Sequence, residues 1–320
     1  MVVAPVAFLV SSAVTAGVLL LGRVRRHGAV GASLNARPLV HYTNNLCPFS
    51  HRAMFARALC PISPEPTTVH VPYGREVEFA AAFGGDTWQH TTLGKKALER
   101  GSDQYKGSLR TDLPSRTEAL KALKKEYMKD INPNGEVPAI CLPSGHIIIE
   151  SDVVMEYYSA ASKARGGRSL VPDDPELLVR MRQAITRCNE ITPHLFKLLR
   201  NQDPAADEEL KVALATAVSR FVSALDSSGG YCIASRCTLA DVHCAPLLYR
   251  LGDVGMRYWR GFSVRSVDPR VGELLDTITA LPEWQSGVAS DEEIVANYEL
   301  PAHGGKWAAD GKSFAGRGRS

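Results

Sequence analysis

Residues 39–60, LVHYTNNLCPFSHRAMFARALC, decide the fold. A short apolar run ending in "VHYT" meets a polar turn, and a proline then opens a helix-like run from Pro48 to about Cys60. Proline suits the first helical turn because the backbone donor it lacks has no intrahelical partner there. The frame is strand, turn, helix start, and it puts Cys47 at the helix N-terminus. Unpaired N–H groups and the positive end of the helix dipole favour thiolate over thiol at that position. Ser50 stands where a C-x-x-C motif carries its second cysteine, so a disulfide between neighbours is ruled out. The chemistry expected of Cys47 is monothiol exchange with an outside partner. A cysteine can equally be a small core residue, and the rest of the chain has to decide.

Outward from this stretch, "TTVHVPY" alternates as a second strand. "TEALKALKKEYMKD" has helical spacing, with Leu120, Leu123 and Tyr127 on one side and lysines on the other. "VPAICLP" and "HIIIE" are apolar runs joined by "SG", which reads as a hairpin, and "SDVVMEYYSAASKA" reads as a helix capped by Ser151. The order βαβ, α, ββα is the thioredoxin-like arrangement, which sets a cysteine after the first strand at the carboxyl end of the sheet, where ligands bind in open α/β sheets. From Pro175 the pattern changes to long helices. Leu178, Met181, Ile185, Cys188 and Ile191 form one apolar stripe, and Leu210, Leu214, Val218, Phe221 and Leu225 form another. In "TLAD", Thr238 and Asp241 have the spacing of a capping box, a structural role.

The predicted fold class is therefore α/β followed by all-α. Residues 1–22 are expected to be a transmembrane anchor, 23–38 a basic linker and 39–163 the thioredoxin-like domain, with an insertion at about 74–115. Residues 164–300 form the helical C-terminal domain and 301–320 a disordered basic tail. The anchor rests on residues 2–22, which carry no charge and are followed at once by "RVRRH". That length just spans a bilayer, and the flanking arginines hold the following domain on the cytosolic side, at the endoplasmic reticulum or the mitochondrial outer membrane. The same arginines also suit import into an organelle.

Composition narrows the function. A formal charge of +3, concentrated near the ends, argues against a nucleic-acid partner. Seven cysteines without paired spacing argue against a disulfide framework and for a reducing compartment. Cys232, Cys237, His243 and Cys244 lie close in sequence but match no familiar ligand set, so no metal is expected and small core positions are the default. Cys60 ends the same helix as Cys47, roughly 20 Å away at 1.5 Å per residue, too far for a disulfide.

"CPFS", "NPNGEVPAI", "IIIESDVVMEYY" and "LVPDDP", in this order, resemble the cytosolic glutathione transferase superfamily. Within it they resemble the cysteine-type branch of omega-class transferases, dehydroascorbate reductases and chloride intracellular channel proteins. "TLADVHCAPLLYRL", "RYWRGF" and "SDEEIVANYE" extend the likeness to about residue 300. The resemblance implies that Cys47 forms a mixed disulfide with glutathione and that Phe49 lines the pocket. It implies a cis Pro138 that lets the Val137 backbone pair with an extended ligand. It also implies that Glu150 and Ser151 hold the γ-glutamyl end. Lys124 lies where omega-class members set a lysine against the ligand's carboxylate, with Lys121, Lys125 and Lys129 as neighbouring alternatives.

Glutathione, or a related small thiol, is thus the expected cosubstrate. A small oxidised or disulfide compound is the other substrate, the N-terminus supplies the membrane contact, and a homodimer is the assembly considered. The activity implied is thiol transfer or dehydroascorbate reduction. The alternative is a non-enzymatic channel-like or scaffolding protein at a membrane. Two departures from the family pattern stand near the cysteine: His51, where relatives commonly have glutamine, and Glu136, where the usual residue is apolar or basic. His51 is expected on the helix surface.

Overall fold

In a computed structural model, described for residues 38–71, 116–226, 230–233 and 235–304, the first strand is the organising element. β1 (Val40–Thr43) pairs in parallel with β2 (Thr67–His70) on one side and antiparallel with β3 (Ala139–Cys141) on the other. β3 then pairs antiparallel with β4 (Ile147–Ile149), giving the order β2-β1-β3-β4. Helix α1 (Pro48–Leu59) follows β1, α2 (Arg116–Asp130) precedes β3, and α3 (Ser151–Lys163) follows β4.

Strand register divides the side chains between two faces, as period-two alternation requires. His41 lies opposite Ile140, which lies opposite Ile148. Tyr42 lies opposite Ala139, which lies opposite Ile149. The first row meets α3, whose Tyr158 hydroxyl hydrogen-bonds His41 Nδ1 at 2.9 Å. The second row packs with Tyr127 of α2 and with Cys47 and Val137 in a small apolar cluster.

The helical half begins with α4 (Pro175–Arg200) and α5 (Asp207–Val222), which pack against each other. Asp174 caps α4 by accepting the Leu177 N–H at 2.9 Å, and Pro175 takes the first helical position. α6 (Leu239–Leu247) leads into a π-helical stretch, Leu248–Gly255, and α7 (Met256–Arg260). α8 (Pro269–Thr279), a 3₁₀ turn at Pro282–Ser286 and α9 (Asp291–Ala302) complete it. The largest apolar core runs without a break from Leu39, Phe55 and Tyr158 into Leu214, Leu247, Leu275 and Trp284, because α1 packs on α3 with one side and on α6 and the Trp284 turn with another.

The thioredoxin-like half and the helical half follow the predicted order. Details differ. α3 starts at Ser151 itself, and Glu150 occupies the capping position with φ of +71°. α9 runs through Pro301 to Ala302, so the first residues assigned to the tail are helical. The anchor at 1–22, the linker up to residue 37, the insertion at 74–115 and the tail beyond 304 lie outside the described residues. No helix among the described residues is long and apolar enough to cross a membrane.

Candidate active site

Cys47 caps α1, with Pro48 next in the first turn. The turn before it is shaped by Asn44. Its carbonyl accepts the Cys47 N–H at 3.1 Å, its side-chain oxygen accepts the Leu46 N–H at 2.8 Å, and its amide donates to Val71 O at 2.8 Å. This aims the Cys47 sulfur at the loop before β3, where Sγ stands 3.5 Å from Val137 O. The Val137–Pro138 bond is cis.

That loop is held from α2. Tyr127 donates its hydroxyl proton to Glu136 O at 2.5 Å, and the buried Asn132 amide donates to the same oxygen at 2.9 Å. Lys124 Nζ donates to Gly135 O. Gly135 has φ of +69°, and a Cβ there would come within 3.1 Å of the Lys124 side chain, so this turn needs glycine. With carbonyls 135 and 136 drawn toward α2, the Val137 N–H takes no hydrogen bond among the described residues. The Lys124 ammonium is thus engaged with the loop leading to the cis proline.

Two opposing effects act on the Cys47 thiol, which is 3% exposed. Burial pushes its pKa up, while the N–H groups of Ser50 and Phe49, the Ser50 hydroxyl and the charge of Arg250 pull it down. Burial prevails and the net shift is upward. The helix terminus acts in the anticipated direction, but here it offsets desolvation rather than producing a free thiolate.

Phe49 lies half-buried beside Cys47, and the Arg52 guanidinium covers its ring at 4.9 Å. Arg52 is 3% exposed. One of its nitrogens is 3.7 Å from Asp152, and Nε and Nη2 have no hydrogen-bond partner among the described residues. Asp152 follows Ser151 in the first turn of α3 and hydrogen-bonds His243 Nδ1 of α6 at 2.8 Å. Burial would raise the Asp152 pKa, but the His243 hydrogen bond and the nearby cations hold it down. Cys47, Phe49, Val137 and Pro138 therefore form one group. Asp152, next to Ser151, is linked to it through Arg52, and Glu150 sits at the turn into α3.

His51 corrects the expectation of a surface residue. It is fully buried, because the Trp284 turn of the helical half packs against this side of α1. Trp284 O can only accept, so His51 Nε2, at 2.9 Å, carries the proton, and Nδ1 accepts from Arg250 Nε at 3.3 Å. Burial, then Arg250, hold the His51 pKa well below its ordinary value, so the ring is neutral. Gly287 lies close on the same face, where a Cβ would meet His51 and Met54 side chains at 3.0 Å. Arg250 is the neighbour that sequence reading missed. Its signal was one basic residue inside the apolar run "APLLYRLGDVGM".

Thr238 and Asp241 lie elsewhere, at the start of α6. The Asp241 carboxylate accepts from the N–H groups of Thr238 (2.7 Å) and Cys232 (2.6 Å) and from the Thr238 hydroxyl (2.9 Å). Cys232, Cys237, His243 and Cys244 are all buried. No group of three or more His, Cys, Asp or Glu among the described residues is arranged to hold a metal ion.

Residues 46–161 match the family model of the glutathione S-transferase N-terminal domain. The chain is 23% identical over 128 residues to glutathione S-transferase omega-1 of Mus musculus, covering 40% of this chain and 52% of that protein. It is 28% identical over 102 residues to omega-1 of Sus scrofa, covering 32% and 41%. The matched stretch thus spans about half the length of these curated relatives or less. Among solved structures, glutathione transferase Omega 3C of Trametes versicolor superposes with a TM-score of 0.56 at 16% identity, covering 79% of this chain and 90% of that one. A trimeric glutathione transferase of Leishmania gives 0.55 at 20% identity, covering 82% and 48%. The family match covers the cysteine, the cis proline and the start of α3, so over residues 46–161 the chain is similar to the glutathione S-transferase N-terminal domain, and omega-class transferases are among the relatives that support this likeness.

Proposed function

We propose that the protein is a glutathione-dependent thiol transferase or dehydroascorbate reductase that works through Cys47 alone. The observation that carries this is the placement of Cys47 Sγ at the N-terminus of α1, 3.5 Å from the carbonyl of a residue in a cis Val-Pro bond whose own N–H is unpaired among the described residues. An extended peptide ligand would pair with the Val137 backbone and bring its own sulfur to Cys47. Its γ-glutamyl carboxylate would meet the first N–H groups of α3 at Ser151, beside the incompletely paired Arg52 guanidinium, a favourable setting for an anion. Lys124 would face the other carboxylate of the ligand. No metal takes part in this reading.

In the cycle, the Cys47 thiolate attacks the glutathionyl sulfur of a mixed disulfide. The substrate's S–S bond breaks, and the substrate leaves as a thiolate that takes up a proton. A second glutathione thiolate then attacks the glutathionyl sulfur on Cys47, releasing oxidised glutathione and restoring the enzyme. With dehydroascorbate, two glutathiones supply the two electrons and two protons. A neighbouring disulfide cannot intervene, since Ser50 offers no thiol. Intact-mass analysis of the full chain after exposure to oxidised glutathione tests this, with both reductions assayed on the same samples. One glutathionyl group on wild type and none on Cys47→Ser, with turnover lost in the variant, is the expected result. A wild-type Cys47 that stays unmodified, or is modified without turnover, sinks the proposal.

For location, the uncharged residues 2–22 followed by arginines support an anchor that keeps this site on the cytosolic side. Cell fractionation with and without residues 1–22 checks it: the shortened chain should leave the membrane fraction with activity intact, and unchanged partition would refute the anchor.

A further inference from the structure

Arg250, in the π-helical stretch after α6, is 1% exposed, and a buried cation without a partner is costly. Among the described residues it forms no ion pair with a carboxylate. Its donors go to neutral acceptors instead: Nη1 to Asn45 O at 2.6 Å, Nη2 to Gly287 O at 2.6 Å and Nε to His51 Nδ1 at 3.3 Å. Two of these acceptors flank Cys47. Asn45 lies two residues before it, and His51 lies one turn after it, with its N–H on Cys47 O at 3.0 Å. The third belongs to the segment of the helical half that packs on α1.

The groups acting electrostatically on Cys47 come from several elements. Tyr127 of α2 and Tyr298 of α9 are phenols whose pKa values burial raises, so they stay neutral. His51 is neutral as well. Arg250 is the only fixed charge of this set; burial lowers its own pKa, while Tyr298, then Cys47, Glu293 and Tyr249, favour its charged form.

We propose that Arg250 is a positioning residue for Cys47: held by Asn45, His51 and Gly287, its guanidinium fixes the cysteine turn against α1 and supplies the buried positive charge that balances the sulfur anion. The helical half thereby adds to the thiol's activation, alongside the larger effects of the Ser50 and Phe49 N–H groups and the Ser50 hydroxyl on α1. This deepens the monothiol reading, on which it rests.

The test is the pH dependence of Cys47 alkylation by iodoacetamide, resolved by peptide mass, in the full chain. Arg250→Gln should raise the midpoint by about one pH unit and slow alkylation at pH 8 about tenfold, with Cys141 in the same samples unaffected. A folded Arg250→Gln protein with an unchanged midpoint overturns the inference. If that variant does not fold, Arg250→Lys decides: a midpoint within about 0.3 units of wild type supports the role of the charge, and a rise of about one unit overturns it. Glutathione is absent from this assay. Failure of glutathione uptake would therefore overturn the proposed function while leaving the alkylation profile to report on Arg250.

Discussion

The phenol of Tyr127 has one proton to donate, and it goes to Glu136 O, the carbonyl immediately before the Val137 backbone. Tyr127→Phe leaves that oxygen with the Asn132 amide at 2.9 Å and removes the shorter bond. The net loss of one such bond is about 1 kcal/mol, readable by urea denaturation. Function should suffer more selectively. If the Val137 N–H is presented to a peptide ligand by this clamp, the apparent KM for glutathione rises severalfold while kcat stays within about twofold, the pattern of lost uniform binding. An unchanged KM in a destabilised variant would mean that the loop keeps its shape without α2, and that Tyr127 serves packing alone. The same loop explains why Lys124 was hard to read: four lysines lie between residues 121 and 129, and only the fold selects the one whose ammonium reaches Gly135 O.

At the scale of elements, much was legible because the signals are local. Pro48 after Cys47 and Pro175, where the long helical pattern opens, each mark a helix start by its backbone chemistry, and each helix begins there. The "SG" turn fixes the β3–β4 hairpin, and the stripe of Met181, Cys188 and Ile191 is buried along α4 as its spacing implies. What was not legible depends on partners distant in sequence. His51 lies on α1 between Ser50 and Arg52, and no local pattern says that Trp284, 233 residues later, closes over it. Glu150 adopts φ of +71° because the chain must turn from β4 into α3, a demand that a glutamate does not advertise. Cys47 shows the same division. Its place at the helix N-terminus was readable from C-P, but its burial was not, since burial is produced by Tyr42, Tyr127 and Val137 arriving from three other segments.

The whole molecule buries an unusual set of titratable groups, and this sets how its stability depends on pH. His41 is fully buried, and burial, then the charge of Arg57, lower its pKa to about 3. His51 and His243 are lowered as well, burial again being the main cause. In the unfolded chain each takes up a proton below its ordinary value of 6.5, and in the native state it does not. The unfolded state then binds more protons, so stability is present above pH 6.5 and is lost as pH falls from there toward the native values. Each such histidine contributes a slope of up to about 1.4 kcal/mol per pH unit, and this loss starts before carboxylates protonate near pH 4. At the other end, burial raises Cys60 to about 11 and Cys232 to about 12, while unfolded thiols ionise near 9.0. There the native state holds the extra protons, so stability falls as pH rises above 9.0 and is lost through the native values. Urea denaturation between pH 4.5 and 10.5 should give a plateau between about 6.5 and 9 with a decline on both sides. His41→Gln should flatten the acid limb by up to about 1.4 kcal/mol per pH unit and leave the alkaline limb alone. Stability that stays level from pH 6.5 to 5 would show that these histidines protonate inside the folded protein, and that the surroundings of His41 Nε2, which has no partner among the described residues, admit the charge.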